Sequence, residues 1–214
     1  MSDRWSRLAP LTGLVFVALL VAAFAISGSQ PGVHKTGAQV ISYYKAHHSR
    51  QMPSNYLAAL GVVFLVFFAA ALRSHLRRFD RAREFAALGF GGALLLALGI
   101  ASFSSFAWAL SDARNTLDPS AAQALNVLRN DFFWPLAIGL AVFMIGNGIA
   151  IARSRALPKW LGWIAFALGV LAMTPITFIA FLATFAWSLI VSVLLFVRGG
   201  GPSGAPAEAS GAKG

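Results

Sequence analysis

The sequence predicts an all-α membrane protein, a bundle of six transmembrane spans with two short helices on its outer rim. Three observations carry this. Six long apolar segments fill most of the 214 residues, and they hold no Asp, Glu, Lys, Arg or His save Arg73 at the very end of the second. Hydrophobic residues make up 58% of the chain and charged ones only 11%, where a soluble domain carries about a quarter charged. The segments also follow one another too closely for a separate soluble domain to fit between them.

A helix rising about 1.5 Å per residue needs about 20 apolar residues to cross the hydrocarbon core, which places the spans near 9–27, 55–73, 85–110, 132–152, 160–174 and 176–197. The first, APLTGLVFVALLVAAFAIS, follows the short tail 1–8 and reads either as an uncleaved helix or as a signal-peptide core with Ala23 and Ala25 before a cleavage point. Its length favours the helix, since such cores run about 7–15 residues. The stretch from Trp160 to Val197 is apolar throughout and as one helix would run about 57 Å, so it must fold back. Thr174-Pro175 is the expected turn, because proline ends the hydrogen-bond ladder and restrains its predecessor. The fifth span is then the shortest. The Gly/Pro/Ser-rich end 198–214 has too little apolar surface to fold and is expected to be a disordered cytoplasmic tail.

Lys and Arg set the orientation. Arg4, Arg7, Arg73, Arg77, Arg78, Arg81, Arg83, Arg153, Arg155, Lys159, Arg198 and Lys213 fall on one side; Lys35, Lys45, Arg50, Arg114 and Arg129 fall on the other. The positive-inside rule puts both termini in the cytoplasm of a multi-pass plasma-membrane protein. The run RSHLRRFDRARE (73–84) fixes topology and offers Arg73, Arg77, Arg78, Arg81 and Arg83 to anionic lipid headgroups. The net charge of +10 therefore points to lipid rather than nucleic acid. With no cysteine, disulfides, thiolate metal sites and cysteine nucleophiles are excluded.

Two outer loops read as amphipathic rim helices. GAQVISYYKAHHSR (37–50) brings Val40, Ile41 and Tyr44 together at helical spacing, and Asp118-Pro119 is a helix start after which Ala121, Leu125 and Leu128 share a face. TGAQVISYYK (36–45) can be laid over SAAQALNVLR (120–129), which suggests a duplicated hairpin and a parallel repeat.

In lipid, close approach along small residues does much of the holding. Span three carries Gly89, Ala93, Ala97, Ala101 and Ser105 every fourth residue, with Leu95, Leu96 and Phe103 off that ridge; span six carries Ala180, Thr184, Ser188 and Ser192; span five carries Gly162, Ala165, Gly169 and Ala172. Trp5, Trp160 and Trp163 at the inner ends, and Tyr43, Tyr44, Tyr56, Trp108 and Trp134 at the outer, read as an interfacial belt.

Candidate chemistry is sparse. Asn147, between Gly146 and Gly148, is the most polar side chain inside a span and reads as an interhelical hydrogen-bonding residue or as part of a pathway. His47 and His48 point about 100° apart on a helix and cannot grip one metal together, so neither a metal site nor a cofactor is expected. If a ligand site exists, the residues placed for it are His47, His48, Asp131, Ser102, Ser105 and Trp134 at the outer mouth, with Asn147 below.

With the spans and the segments PGVHKTGAQVISYYKAHHSR and LDPSAAQAL in view, residues 9–197 resemble the uncharacterised actinobacterial multi-pass membrane proteins grouped under a domain of unknown function, and the arginine and alanine bias is similar. That resemblance implies architecture alone. The functional expectation is a non-enzymatic membrane protein, an accessory subunit or a binder of a lipid-like ligand at the outer mouth. The alternatives are a small transporter or channel built on the duplicated hairpin, and a membrane enzyme using His47, His48 and Asp131.

Overall fold

The computed structural model describes residues 8–154 and 156–199, all helix and connection without a strand among them. Arg4, Trp5, Arg7, Arg155, Lys213 and the tail from residue 200 onward lie outside the described residues. A 3-10 turn, Ala9–Leu11, leads into α1 (Thr12–Ser27), which ends at Gly28 with φ +64°, a conformation that favours glycine. Then come α2 (Gly37–Leu76), α3 (Arg83–Asp112), α4 (Pro119–Asp131), α5 (Phe133–Ser154), α6 (Lys159–Leu171) and α7 (Thr177–Gly199).

Five stretches are long and apolar enough to cross a membrane: Ala9–Ser27, Gly37–Leu76, Asp80–Asp112, Pro119–Ser154 and Thr177–Val197. The sixth expected span is shorter: Lys159–Leu171 has 13 residues, about 20 Å against a hydrocarbon core of about 30 Å. The expected turn is where the sequence places it, with Thr174-Pro175 inside the 172–176 connection. There the Thr177 hydroxyl donates to the carbonyls of Ala172 (2.8 Å) and Thr174, satisfying backbone acceptors at the end of α6.

The first rim segment is not a separate helix. Residues 37–50 and the span that follows form one 40-residue helix, α2, running through Pro53 although proline removes a rung of the ladder. Its start is a capping box, Thr36 Oγ1 accepting from the Gln39 amide while Gln39 Oε1 accepts from the Thr36 amide. The second rim segment is separate, capped by Asp118 with Pro119 at its first turn, and breaks from α5 only at Phe132. The two segments correspond by their caps, Thr36 with Asp118, and by their buried faces, Val40 and Tyr44 with Ala122 and Asn126. That register is two residues away from the one that aligns Gln39 with Gln123, so the matched letters do not occupy matched places.

Neighbouring helices run antiparallel, as cross-contacts show. Gly61 lies on Leu20, Gly99 on Leu136, Gly146 on Gly89, Gly169 on Ile145, and Gly13 on Ser192. The Gly13–Ser192 contact brings the start of α1 to the end of α7. One end of the bundle therefore holds both ends of the described chain and the 77–82 and 156–158 connections, while 28–36, 113–118 and 172–176 lie at the other, called here the rim end.

The α3–α5 seam departs from the expected period-four ridge. Gly89, Gly92 and Gly99 on α3 meet the backbone or side chains of Asn147, Phe143 and Leu136, and Gly139 and Gly146 on α5 meet the backbone of Leu96 and Gly89. Leu96, expected off the contact, is buried in it; Ser105, expected on it, is exposed and donates back to the Ala101 carbonyl at 2.9 Å. The other two ridges lie as expected, with Gly162, Ala165, Gly169 and Ala172 buried on α6 and Ala180, Thr184, Ser188 and Ser192 buried on α7. Thr184 back-bonds to Ala180, and the Ser188 and Ser192 hydroxyls find no partner among the described residues. Trp187 threads between helices, its indole N–H donating to the Leu161 carbonyl at 3.0 Å and its ring meeting Phe143 edge-on.

The outside of the bundle is apolar. Val21, Val63, Leu98, Ile164, Ile179 and Val193 are all exposed, whereas Gln51, Ser111, Asn126 and Arg129 are buried. This inverts the arrangement of a soluble protein and presents a continuous oily belt. Trp108, Trp134, Trp160, Trp163 and Tyr56 are exposed as a belt requires. Tyr43 and Tyr44 are not part of it: Tyr44 is fully buried and Tyr43 partly so, both packed in the small rim core with Val40, Leu110 and Ala122.

Candidate functional site: a cavity under a polar ceiling

The polar side chains of the rim end fold inward. Gln51 on α2 is wholly buried; its Nε2 donates to the Ser27 carbonyl (3.0 Å) at the end of α1 and to the Tyr43 hydroxyl (3.1 Å), and its Oε1 accepts from Gln30 Nε2 (3.4 Å). Tyr43 in turn donates to the Ser29 carbonyl at 2.8 Å. Ser54 donates to the Ala23 carbonyl at 2.8 Å, so three side chains of α2 hold the end of α1 and the loop after it. From α4, Asn126 donates to the Gly32 carbonyl (3.0 Å) and Asn130 to that of Pro31 (3.3 Å). Close packing seats this lid, because a methyl group on Gly37 would overlap the carbonyl of Pro119.

Arg129 also points in. It is 3% exposed, and its guanidinium lies over the Phe103 ring, 4.1 Å from the centroid. Its Nε has no hydrogen-bond partner, and the one ion pair among the described residues, the exposed Arg83–Asp80 contact, is elsewhere. A buried charge is costly to hold without a counter-charge, and the cation–π contact offsets only part of that cost.

Beneath this ceiling lies a cavity of about 140 Å³ bounded by α1, α2, α3, α5 and α7. Its lining is mostly apolar. The polar members Ser27, Gln30, Ser54, Asn55 and Ser104 stand toward the rim together with Phe133 and Phe178; Leu20, Ala58, Ile100 and Leu136 stand deeper in the bundle. Asn55 is 6% exposed and its Nδ2 has no partner, and the Gln30 Oε1 is likewise unpaired. Phe24 and Phe178 belong to the wall and are also 44% and 56% exposed, so the cavity reaches the lipid-facing surface of the bundle between α1 and α7.

The residues expected at an outer mouth are not brought together. His47 stacks on Tyr43 and its Nδ1 bonds the Tyr43 carbonyl of its own helix (2.9 Å), while His48 Nδ1 bonds the Ser111 hydroxyl (3.0 Å) and ties α2 to α3. Asp131 and Trp134 are exposed, Ser105 is exposed and back-bonded, Ser102 is half-buried, and none of the four lines the cavity. Among the described residues no hydrogen bond joins Asp131 to either imidazole, and no group of three or more His, Asp or Glu is placed to hold a metal. Asn147 is buried away from the cavity, donates to the Phe143 carbonyl at 2.8 Å, and rests in the notch left by Gly89.

Gln51, Asn55 and Arg129 are buried polar residues of this candidate site that sequence reasoning missed. A signal existed: Val40, Tyr44, Gln51 and Asn55 recur at helical spacing along α2, as do Ala122, Asn126 and Arg129 along α4, so each polar residue shares a face with apolar ones.

At the opposite end, Arg73, Arg77, Arg78 and Arg83 line a groove of about 340 Å³. Arg81 lines a neighbouring one of about 590 Å³ with Asp80, Glu84, Arg153 and Lys159, a mixture of signs. Four of the five arginines expected to meet lipid headgroups thus converge.

No protein-family model, curated protein or solved structure matches this chain.

Proposed function

We propose that the protein is a non-enzymatic, six-pass plasma-membrane protein with both termini in the cytoplasm, and that it binds a lipid-like ligand at its outer mouth, in the rim-end cavity. Membership of the actinobacterial group it resembles is part of this proposal. The observation that carries it is the cavity itself, polar toward the rim, apolar below, and reaching the bundle surface at Phe24 and Phe178. An amphiphile has that same gradient. Arginine-rich grooves at the other end support the assignment of that end to the cytoplasm, with Arg73, Arg77, Arg78 and Arg83 against anionic headgroups. A transport pathway finds less support, because Asn147 is packed between α3 and α5 and its amide bonds its own helix.

Native mass spectrometry of the full chain, released from mild detergent, tests the reading. The expected result is a bound lipid-sized species that is lost when Ala58→Phe fills the cavity, with α-helical content and elution volume unchanged. A ligand-free wild type after addition of membrane lipid extract overturns it.

A further inference from the structure

We propose that the cavity recognises a monoanionic, carboxylate-headed single-chain amphiphile, with Arg129 as the counter-charge; this rests on the lipid-like-ligand reading above and names its chemistry. Three observations converge. The first is Arg129, a permanent cation that is 97% out of solvent contact, with an unpartnered Nε and no acidic partner among the described residues. It sits on Phe103, and Phe103 is part of the cavity wall at the polar end.

The second is a set of unmet polar atoms at that same end. In the wall, Asn55 presents an unpartnered amide N–H₂ and Gln30 an unpartnered Oε1 acceptor, while the unpartnered Tyr44 hydroxyl lies in the rim core outside the cavity lining. A carboxylate is acceptor-only, and it supplies what the Asn55 amide and the Arg129 guanidinium lack. One buried cation balances one negative charge; a phosphate monoester, carrying nearly two, would leave charge uncompensated in a dry site.

The third is shape. At about 140 Å³ the cavity is below the size of whole-ligand pockets and close to that of cavities that take one benzene ring. It accommodates the head and first methylenes. The rest of the chain leaves past Phe24 and Phe178, whose exposed rings mark the lateral opening. A carboxylate entering from the outer leaflet meets apolar walls below and the Asn55 amide above, with Arg129 against Phe103 of the wall rather than in the lining itself, so it is oriented head toward the rim.

The test uses the delipidated full chain in neutral detergent and compares dodecanoate, dodecanol and dodecyl phosphate by calorimetric titration. Dodecanoate is expected to bind at least roughly tenfold more tightly than dodecanol, the margin of a hydrogen bond to a charged group. Arg129→Gln should erase that preference while leaving dodecanol binding unchanged, and Arg129→Lys should restore part of it. Should Arg129→Gln not fold, the wild-type comparison still decides. Equal binding of dodecanoate and dodecanol overturns the anion assignment and leaves the lipid-binding reading standing. Tighter binding of dodecyl phosphate overturns the monoanion assignment. Failure of all three to bind overturns both readings.

Discussion

A methyl group placed on Gly146 would lie 2.5 Å from the backbone nitrogen of Gly89, and that pair holds α5 against α3 at backbone contact. Backbone, unlike a side-chain tip, cannot swing away. Gly146→Ala must therefore push the helices apart along the seam that also contains Gly92, Gly99 and Gly139. The expected cost is about 1–3 kcal/mol, more than the helix-propensity gain of about 1 kcal/mol that alanine brings. Gly91, next to Gly92 but turned away from the seam with nothing near its missing side chain, is the control, and Gly91→Ala should be neutral or slightly stabilising. Thermal unfolding of the two variants in one detergent checks the contrast.

Gln51 is the hub of the rim end, and its loss should be felt at three partners. Gln51→Leu roughly keeps the volume but strips the Gln30 amide of its bond and leaves the Ser27 carbonyl only the longer one from the Tyr43 hydroxyl, 3.4 Å, in a buried setting. A stability loss of about 1–3 kcal/mol is expected, the usual cost of orphaning buried polar groups. Hydrogen exchange should rise in residues 24–30 and stay unchanged at the α3–α5 seam. Equal exchange at both places would mean that Gln51 does not hold the end of α1.

The Asp118 carboxylate lies below the usual carboxylate range, held there by hydrogen bonds from the Ser120 hydroxyl (2.6 Å) and amide (2.8 Å). A depressed folded-state value means the cap contributes fully above the unfolded carboxylate range and is lost as pH falls through the folded value. The start of α4 should accordingly loosen on acidification, seen as faster amide exchange at Ser120 and Ala121. Asp118→Asn keeps a capping oxygen at every pH and should flatten the response.

How much of this was readable from the residues alone depended on which partner decides each position. Spans such as 85–110 were legible because lipid demands an unbroken apolar run. Within that span, Leu95 and Leu96 are the same residue one step apart, yet one is exposed and the other buried, because the glycines of α5 choose the face. The period-four ridge included Gly89 but gave no notice of the Gly92 and Gly99 contacts, whose meaning depends on a second helix. The rim segment 37–50 and the span from residue 55 read as two elements; α2 runs unbroken through the junction, where Gln51 finds partners across the bundle. Arg129 was counted as an outer-loop charge, and the positive-inside rule says nothing about which way such a charge points.

The short helix α6 decides the topology. At 13 residues it cannot cross a bilayer alone, yet Gly162 lies on Gly148 and Gly169 on Ile145, so it runs antiparallel to α5 for most of that helix's depth. A sixth crossing requires the 172–176 turn to supply the missing length, and Trp187 of the returning α7 holds the hairpin by its bond to Leu161. Single cysteines are easily read in a chain that has none. Introduced as Ser74→Cys and Lys159→Cys, they should react with a membrane-impermeant maleimide only after lysis of intact cells, while Thr174→Cys and Thr116→Cys should react before it. Labelling of Thr174→Cys only after lysis would leave α6 as a re-entrant segment and reduce the spans to five. Trp187→Phe should keep a ring against Phe143 but lose both the indole bond and buried volume, and is expected to cost about 1–3 kcal/mol in thermal unfolding.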